Sequence, residues 1–177
     1  RIALLNLGAN LLGPRSLASL ADALSVNACL EALDLSSNKL CGVAFCGEGA
    51  LPVMTAAAPA TAEAIARLCA ALRDGGVEWL SLAHNSLGPH AATLLARGLA
   101  GNPSLTALRL DDNAMTDAGA DELAAVLGGT AITDLGLESN GIGQAAAAKL
   151  SAALPHATQG RDPGSTRSWR VASPMPA

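Results

Sequence analysis

The chain has 177 residues, half of them apolar, and a formal net charge of −4. That is the size of one domain, or one domain plus a tail, with enough apolar material for a core. Residues 1–154 hold 8 Lys/Arg against 14 Asp/Glu, whereas residues 155–177 hold 3 Arg and 1 Asp, so the body is acidic and disfavours nucleic acid, which needs a basic footprint.

Taken in chain order, one motif recurs. Ile2-x-x-Leu5-x-Leu7-x-x-Asn10 comes first, and Leu30-x-x-Leu33-x-Leu35-x-x-Asn38 follows. Val77-x-x-Leu80-x-Leu82-x-x-Asn85, Leu105-x-x-Leu108-x-Leu110-x-x-Asn113 and Ile132-x-x-Leu135-x-Leu137-x-x-Asn140 complete the series. The asparagines are separated by 28, 47, 28 and 27 residues, so the second interval is one repeat plus an insertion of about 20 residues. Each Leu-x-Leu alternates with period two and predicts a short strand with one buried face. Each Asn stands where the chain must turn, and its side chain is expected to bond backbone groups that the turn leaves unpaired. Two residues beyond it comes another inward position: Leu12, Leu40, Leu87, Met115 or Ile142.

A helical pattern closes every unit. Leu17, Leu20, Ala21 and Leu24 fall at i, i+3, i+4 and i+7. Ile65, Leu68 and Leu72, then Leu95 and Leu99, Leu123 and Leu127, and Leu150 and Leu154 repeat the spacing. The insertion, about 42–61, is rich in Gly and Pro and reads as a loop between strand and helix. Its Phe45, Leu51, Val53 and Met54 are apolar for a free loop. They suit a segment folded onto the next repeat, a rim that touches a partner, or a retained intron. Residues 155–177, rich in Pro, Ser, Gly and Arg, are expected to be a disordered tail. No polar capping repeat is evident at either end, which points to a fragment of a longer repeat protein or to self-association through an open end. Oligomeric state is left open.

Five copies of Leu-x-x-Leu-x-Leu-x-x-Asn-x-Leu at this period, each closed by a helix, resemble the ribonuclease-inhibitor type of leucine-rich repeat. The resemblance covers residues 2–154 apart from the insertion. It implies an α/β solenoid, a segment of a right-handed horseshoe, with parallel strands on the concave face and helices on the convex face. The domain is expected to span residues 1–154 in five repeats.

The positions around each Leu-x-Leu then project into the hollow as columns. The residue before the middle Leu is Leu4, Ala32, Trp79, Ala107 and Asp134; the residue between the two Leu is Asn6, Asp34, Ser81, Arg109 and Gly136. The next pairs are Gly8-Ala9, Ser36-Ser37, Ala83-His84, Asp111-Asp112 and Glu138-Ser139. Trp79 stands at the centre, and Asp111, Asp112, Asp134 and Glu138 cluster around Arg109 towards the last repeats. An aromatic anchor beside charges is the composition of an interaction hot spot. The candidate partner-binding residues are therefore Trp79, His84, Arg109, Asp111, Asp112, Asp134 and Glu138, and the first functional reading is a module that binds a protein with a basic contacting face through its concave face or rim. The alternatives are a Trp79 packed against Leu4, Ala32 or the insertion and carboxylates that form a solvated surface.

Other chemistries find little support. Ser81, His84 and Asp112 imitate a triad in composition, but a strand face provides no evident oxyanion hole. Cys41-x4-Cys46 has no second Cys/His pair at zinc-binding spacing. Gly47-Glu48-Gly49 lacks the lysine and strand context of a phosphate loop. No catalysis, cofactor or metal is expected. The uncharged stretch Gly49 to Ala62 is too short to span a bilayer, so no membrane is expected either, and a cytoplasmic location is the reading. The resemblance also covers regulators of small GTPases, such as the activating protein for Ran. The acidic tail of that protein has no counterpart in the basic residues 155–177. A building block of a larger repeat assembly is the third reading.

Overall fold

A computed structural model describes residues 2–41 and 59–154. Most of the insertion (42–58) and the expected tail (155–177) lie outside the described residues, as do the readings placed on them.

Five strand–turn–helix units follow one another: β1 (Leu4–Asn6), α1 (Pro14–Leu24), β2 (Ala32–Asp34), α2 (Pro59–Asp74), β3 (Trp79–Ser81), α3 (Gly88–Leu99), β4 (Ala107–Arg109), α4 (Thr116–Leu127), β5 (Asp134–Gly136) and α5 (Gln144–Ala153). The strands make one parallel sheet in the order β1-β2-β3-β4-β5. Its register runs Leu4, Ala32, Trp79, Ala107, Asp134 across the sheet, with Asn6, Asp34, Ser81, Arg109, Gly136 in the row two residues on. The columns expected from the repeat are thus rows of real neighbours, about 4.8 Å apart.

The period-two pattern works as its physics requires. Leu33, Leu80 and Leu108 are completely buried, as are Leu35, Leu82 and Leu110 to within 2%. Their partners come from the helices: Leu17, Ala21 and Leu24 of α1, Ile65, Leu68 and Leu72 of α2, Leu95 and Leu99 of α3, Leu123 and Leu127 of α4. Helices pack only beside their neighbours in sequence, as a solenoid demands.

One boundary differs from the sequence reading. The loop was expected to run to about residue 61, yet Pro59, Ala60 and Thr61 already belong to α2. Proline suits a first helical position, because its φ is preset and its missing N–H is not needed there. Thr61 is buried, and its Oγ1 donates to the Cys41 carbonyl at 3.4 Å, tying the start of α2 to the end of the preceding turn.

The asparagines form a ladder. Asn113 is fully buried; its Nδ2 donates to the carbonyls of Leu82, Leu110 and Asp111 at 2.9, 3.0 and 3.2 Å. Its Oδ1 accepts the N–H groups of Asn85 and Leu87 at 3.0 and 3.2 Å. Asn38, Asn85 and Asn140 repeat the arrangement, each reaching back to the repeat before it. The turn they secure is unusual. Ala9, Ser37, His84, Asp112 and Ser139, the residues just before each Asn, all have φ between 52° and 58°. A left-handed conformation costs a non-glycine residue roughly 1–2 kcal/mol, which the satisfied turn offsets.

Close helix packing depends on small residues. A Cβ on Gly98 of α3 would lie 2.5 Å from Cys69 Sγ of α2, and one on Gly119 of α4 would lie 2.8 Å from Ala92 Cβ of α3. Cys29, Cys41 and Cys69 are free thiols. Burial pushes the Cys69 thiol pKa up to about 12, with the Arg73 charge acting in the opposite direction, and burial alone does the same to Cys41. Because the thiolate is the reactive form, Cys69 is expected to resist iodoacetamide at pH 8 and to label once denaturant is added. Site-resolved mass spectrometry checks this; rapid native labelling of Cys69 would contradict the packing of α2 on α3.

Candidate functional site

The helices cover one face of the sheet. Among the described residues, no element packs on the other, so its rows form the candidate site.

Trp79 opens the central strand β3 and is half-buried. Its register neighbours, Ala32 and Ala107, are at most 9% exposed although they stand on the open face. Small side chains on both sides leave room for the indole, and the indole is the large group between them.

The charged candidates fall into two groups. Arg109 of β4 holds Asp134 of β5 through two parallel bonds, Nη1 to Oδ1 at 2.8 Å and Nη2 to Oδ2 at 2.7 Å. The two side chains are 16% and 14% exposed, while every other ion pair among the described residues is at least 35% exposed on both sides. The pair runs diagonally, because Arg109 is in register with Gly136 and Asp134 with Ala107. Gly136 makes this possible: a Cβ there would lie 2.8 Å from Arg109 Cδ and 2.6 Å from Asp111 Oδ2. Asp111 Oδ1 accepts the Glu138 N–H at 2.8 Å, so its carboxylate is held over the same glycine.

At the edge where the strands end, His84 Nδ1 lies 2.8 Å from Asp112 Oδ2. Both residues are left-handed and well exposed. This joins two members of the apparent triad, but among the described residues no hydrogen bond links Ser81 to His84. Leu11, Lys39, His84 and Ser86 line part of a depression of about 340 Å³ on the same rim.

The structure therefore brings Arg109, Asp111, Asp134 and Glu138 into one patch, places His84–Asp112 beside it, and leaves Trp79 two strands from Asp134. It adds residues that the sequence reading did not include among the candidates. Asp34 lies in the same row as Arg109, and Glu31 and Glu78 stand exposed just before β2 and β3. Their signal was already in the columns: any residue within or flanking Leu-x-Leu borders the open face.

Charge is distributed unevenly over the two sides. Among the described residues, seven carboxylates, those of Glu31, Asp34, Glu78, Asp111, Asp112, Asp134 and Glu138, lie on the open face or its edges, against Arg109 and, on the rim, Lys39. The helices hold six acidic residues and five basic ones. Several of these neutralise one another: Arg67 pairs with Asp22 and Glu63, Arg97 with Glu122, and Lys149 with Asp121. Most of the net negative charge of the described chain thus faces the hollow.

A leucine-rich-repeat family model matches residues 26–40, which contain β2, and residues 101–124, which contain β4. The architecture and the matched repeats fit a leucine-rich-repeat α/β solenoid. Domains of this class generally mediate protein–protein interaction. No curated protein matches the sequence. No helix among the described residues is long and apolar enough to cross a membrane.

Proposed function

We propose that the chain is a protein-binding module of the ribonuclease-inhibitor type, and that its open sheet face receives a partner with a basic surface. The observation that carries this reading is the charge asymmetry: the open side is acidic while the helical side is close to neutral. Like-charged carboxylates gathered on one face repel one another, and a cationic partner removes that repulsion while steering association. Trp79 supplies apolar contact area at the middle of the same face, and His84, Asp112, Asp111 and Glu138 supply a polar rim. The reading has no need of catalysis, cofactor or metal. No observation on this face favours the small-GTPase regulator or the assembly block over it.

The test is affinity capture with wild type and a Trp79→Ala/Asp111→Ala/Asp112→Ala variant, after circular dichroism shows both folded. Trp79 and Asp111 are partly buried and Asp111 accepts the Glu138 N–H, so the variant is expected to lose about 1–3 kcal/mol and to stay folded. Captured proteins are expected to be basic, salt-sensitive and lost from the variant. A partner retained equally by both would move the binding site off this face.

A further inference from the structure

We propose that Arg109 is an internal stand-in for an arginine of the partner: it occupies a carboxylate site on the open face that a partner's guanidinium fills after displacing it. This rests on the reading above, that the face meets a basic protein.

The geometry of the site suits a guanidinium. Asp134 presents both oxygens to the Arg109 fork in the two-bond geometry that arginine matches and lysine does not. Its floor is the bare backbone of Gly136, and the Asp111 carboxylate is held above that floor by the Glu138 N–H. A Cβ at 136 would require Arg109 or Asp111 to shift from where they cross it.

The energetics allow an exchange. A partly buried ion pair gains little net stability, because the cost of removing two charges from water offsets much of their attraction. Exchanging one guanidinium for another preserves both bonds to Asp134, while Arg109 regains its hydration at the surface. The incoming cation also meets Asp111, Asp112 and Glu138 without adding a carboxylate to the face. Arg109 is then a specificity-determining residue: it keeps Asp134 from holding weak cations, and it yields to an arginine that makes further contacts along the sheet.

The experiment uses fluorescence anisotropy with a labelled oligo-arginine peptide and an oligo-lysine peptide of equal length. Wild type is compared with Arg109→Gln, and with Arg15→Gln as a control for the charge change, since Arg15 is exposed on α1. Arg109→Gln is expected to tighten the arginine peptide about 3- to 10-fold and the lysine peptide less, whereas Arg15→Gln changes either by about twofold or less. Adding Asp134→Asn to Arg109→Gln is expected to abolish the gain; melting curves show whether each variant is folded, and Arg109→Gln decides the matter alone if the double variant is not. Binding that weakens or stays unchanged in Arg109→Gln, while wild type binds, overturns the stand-in and makes Arg109 a direct contact or a purely structural residue. Equal tightening in Arg15→Gln and Arg109→Gln also overturns it, leaving net charge as the cause. If neither peptide binds wild type or variant, the basic-partner reading itself fails and this inference falls with it.

Discussion

Replacing Asn113 by alanine is expected to destabilise the protein by roughly 3–6 kcal/mol. The side chain is fully buried and completes five hydrogen bonds, to three carbonyls and two N–H groups in two successive repeats. Alanine leaves the Asn85 and Leu87 N–H groups without an acceptor in the interior, at about 1–3 kcal/mol each, while the Leu82, Leu110 and Asp111 carbonyls keep donors in Asn85 Nδ2, Asn140 Nδ2 and the His84 N–H. The left-handed turn at Asp112 and Ala114 loses the bonds that offset its own cost. Against a total stability of about 5–15 kcal/mol, this is enough to unfold a marginal domain. Asn10 is the built-in control. Its side chain is exposed and donates to the Gly8 carbonyl alone among the bonds described, so Asn10→Ala is expected to cost about 0.5–1.5 kcal/mol. Urea unfolding followed by circular dichroism compares the two. Equal midpoints for both variants would show that the ladder is not what secures the repeats.

Leu108→Ala carries the second large effect, about 2–5 kcal/mol. Leu108 is completely buried and lies in register between Leu80 and Leu135, with the helices behind it. Truncation loses the transfer energy of the side chain and leaves a cavity that stiff neighbours on both sides cannot fill. The same change at Leu5, which is only partly buried, is expected to cost distinctly less. Thermal or urea midpoints test the pair. In a solenoid, stability is close to a sum of repeats and interfaces, so the central defect also disrupts two interfaces at once. A central variant no less stable than the one at Leu5 would contradict this packing.

The two effects show which features were legible in the sequence. The period of 27–28 residues, the alternation of Leu-x-Leu and the asparagine after it follow from local chemistry repeated five times. Strand, turn and helix could be assigned because each unit uses the same residues for the same backbone need. The start of α2 at Pro59 was less legible, since a Gly/Pro-rich approach reads as a loop until the helix it leads into has packed.

The face was legible as a set of positions and not as a set of bonds. Stacking repeats put Trp79 among alanines and gathered Asp111, Asp134 and Glu138 around Arg109. That Arg109 takes Asp134, 25 residues away and on a diagonal, was not legible, because register places Gly136 opposite it. The choice depends on the space that glycine leaves and on side-chain directions across two strands. His84 and Asp112 likewise meet only because two left-handed turns, 28 residues apart, aim both side chains along one rim. The sequence by itself determined the repeat, its buried leucines, its asparagine turns and the acidic columns, because each is encoded within a single unit. Only the tertiary structure decided which charges neutralise one another, because that depends on distances between units, and a pattern within one unit does not contain them.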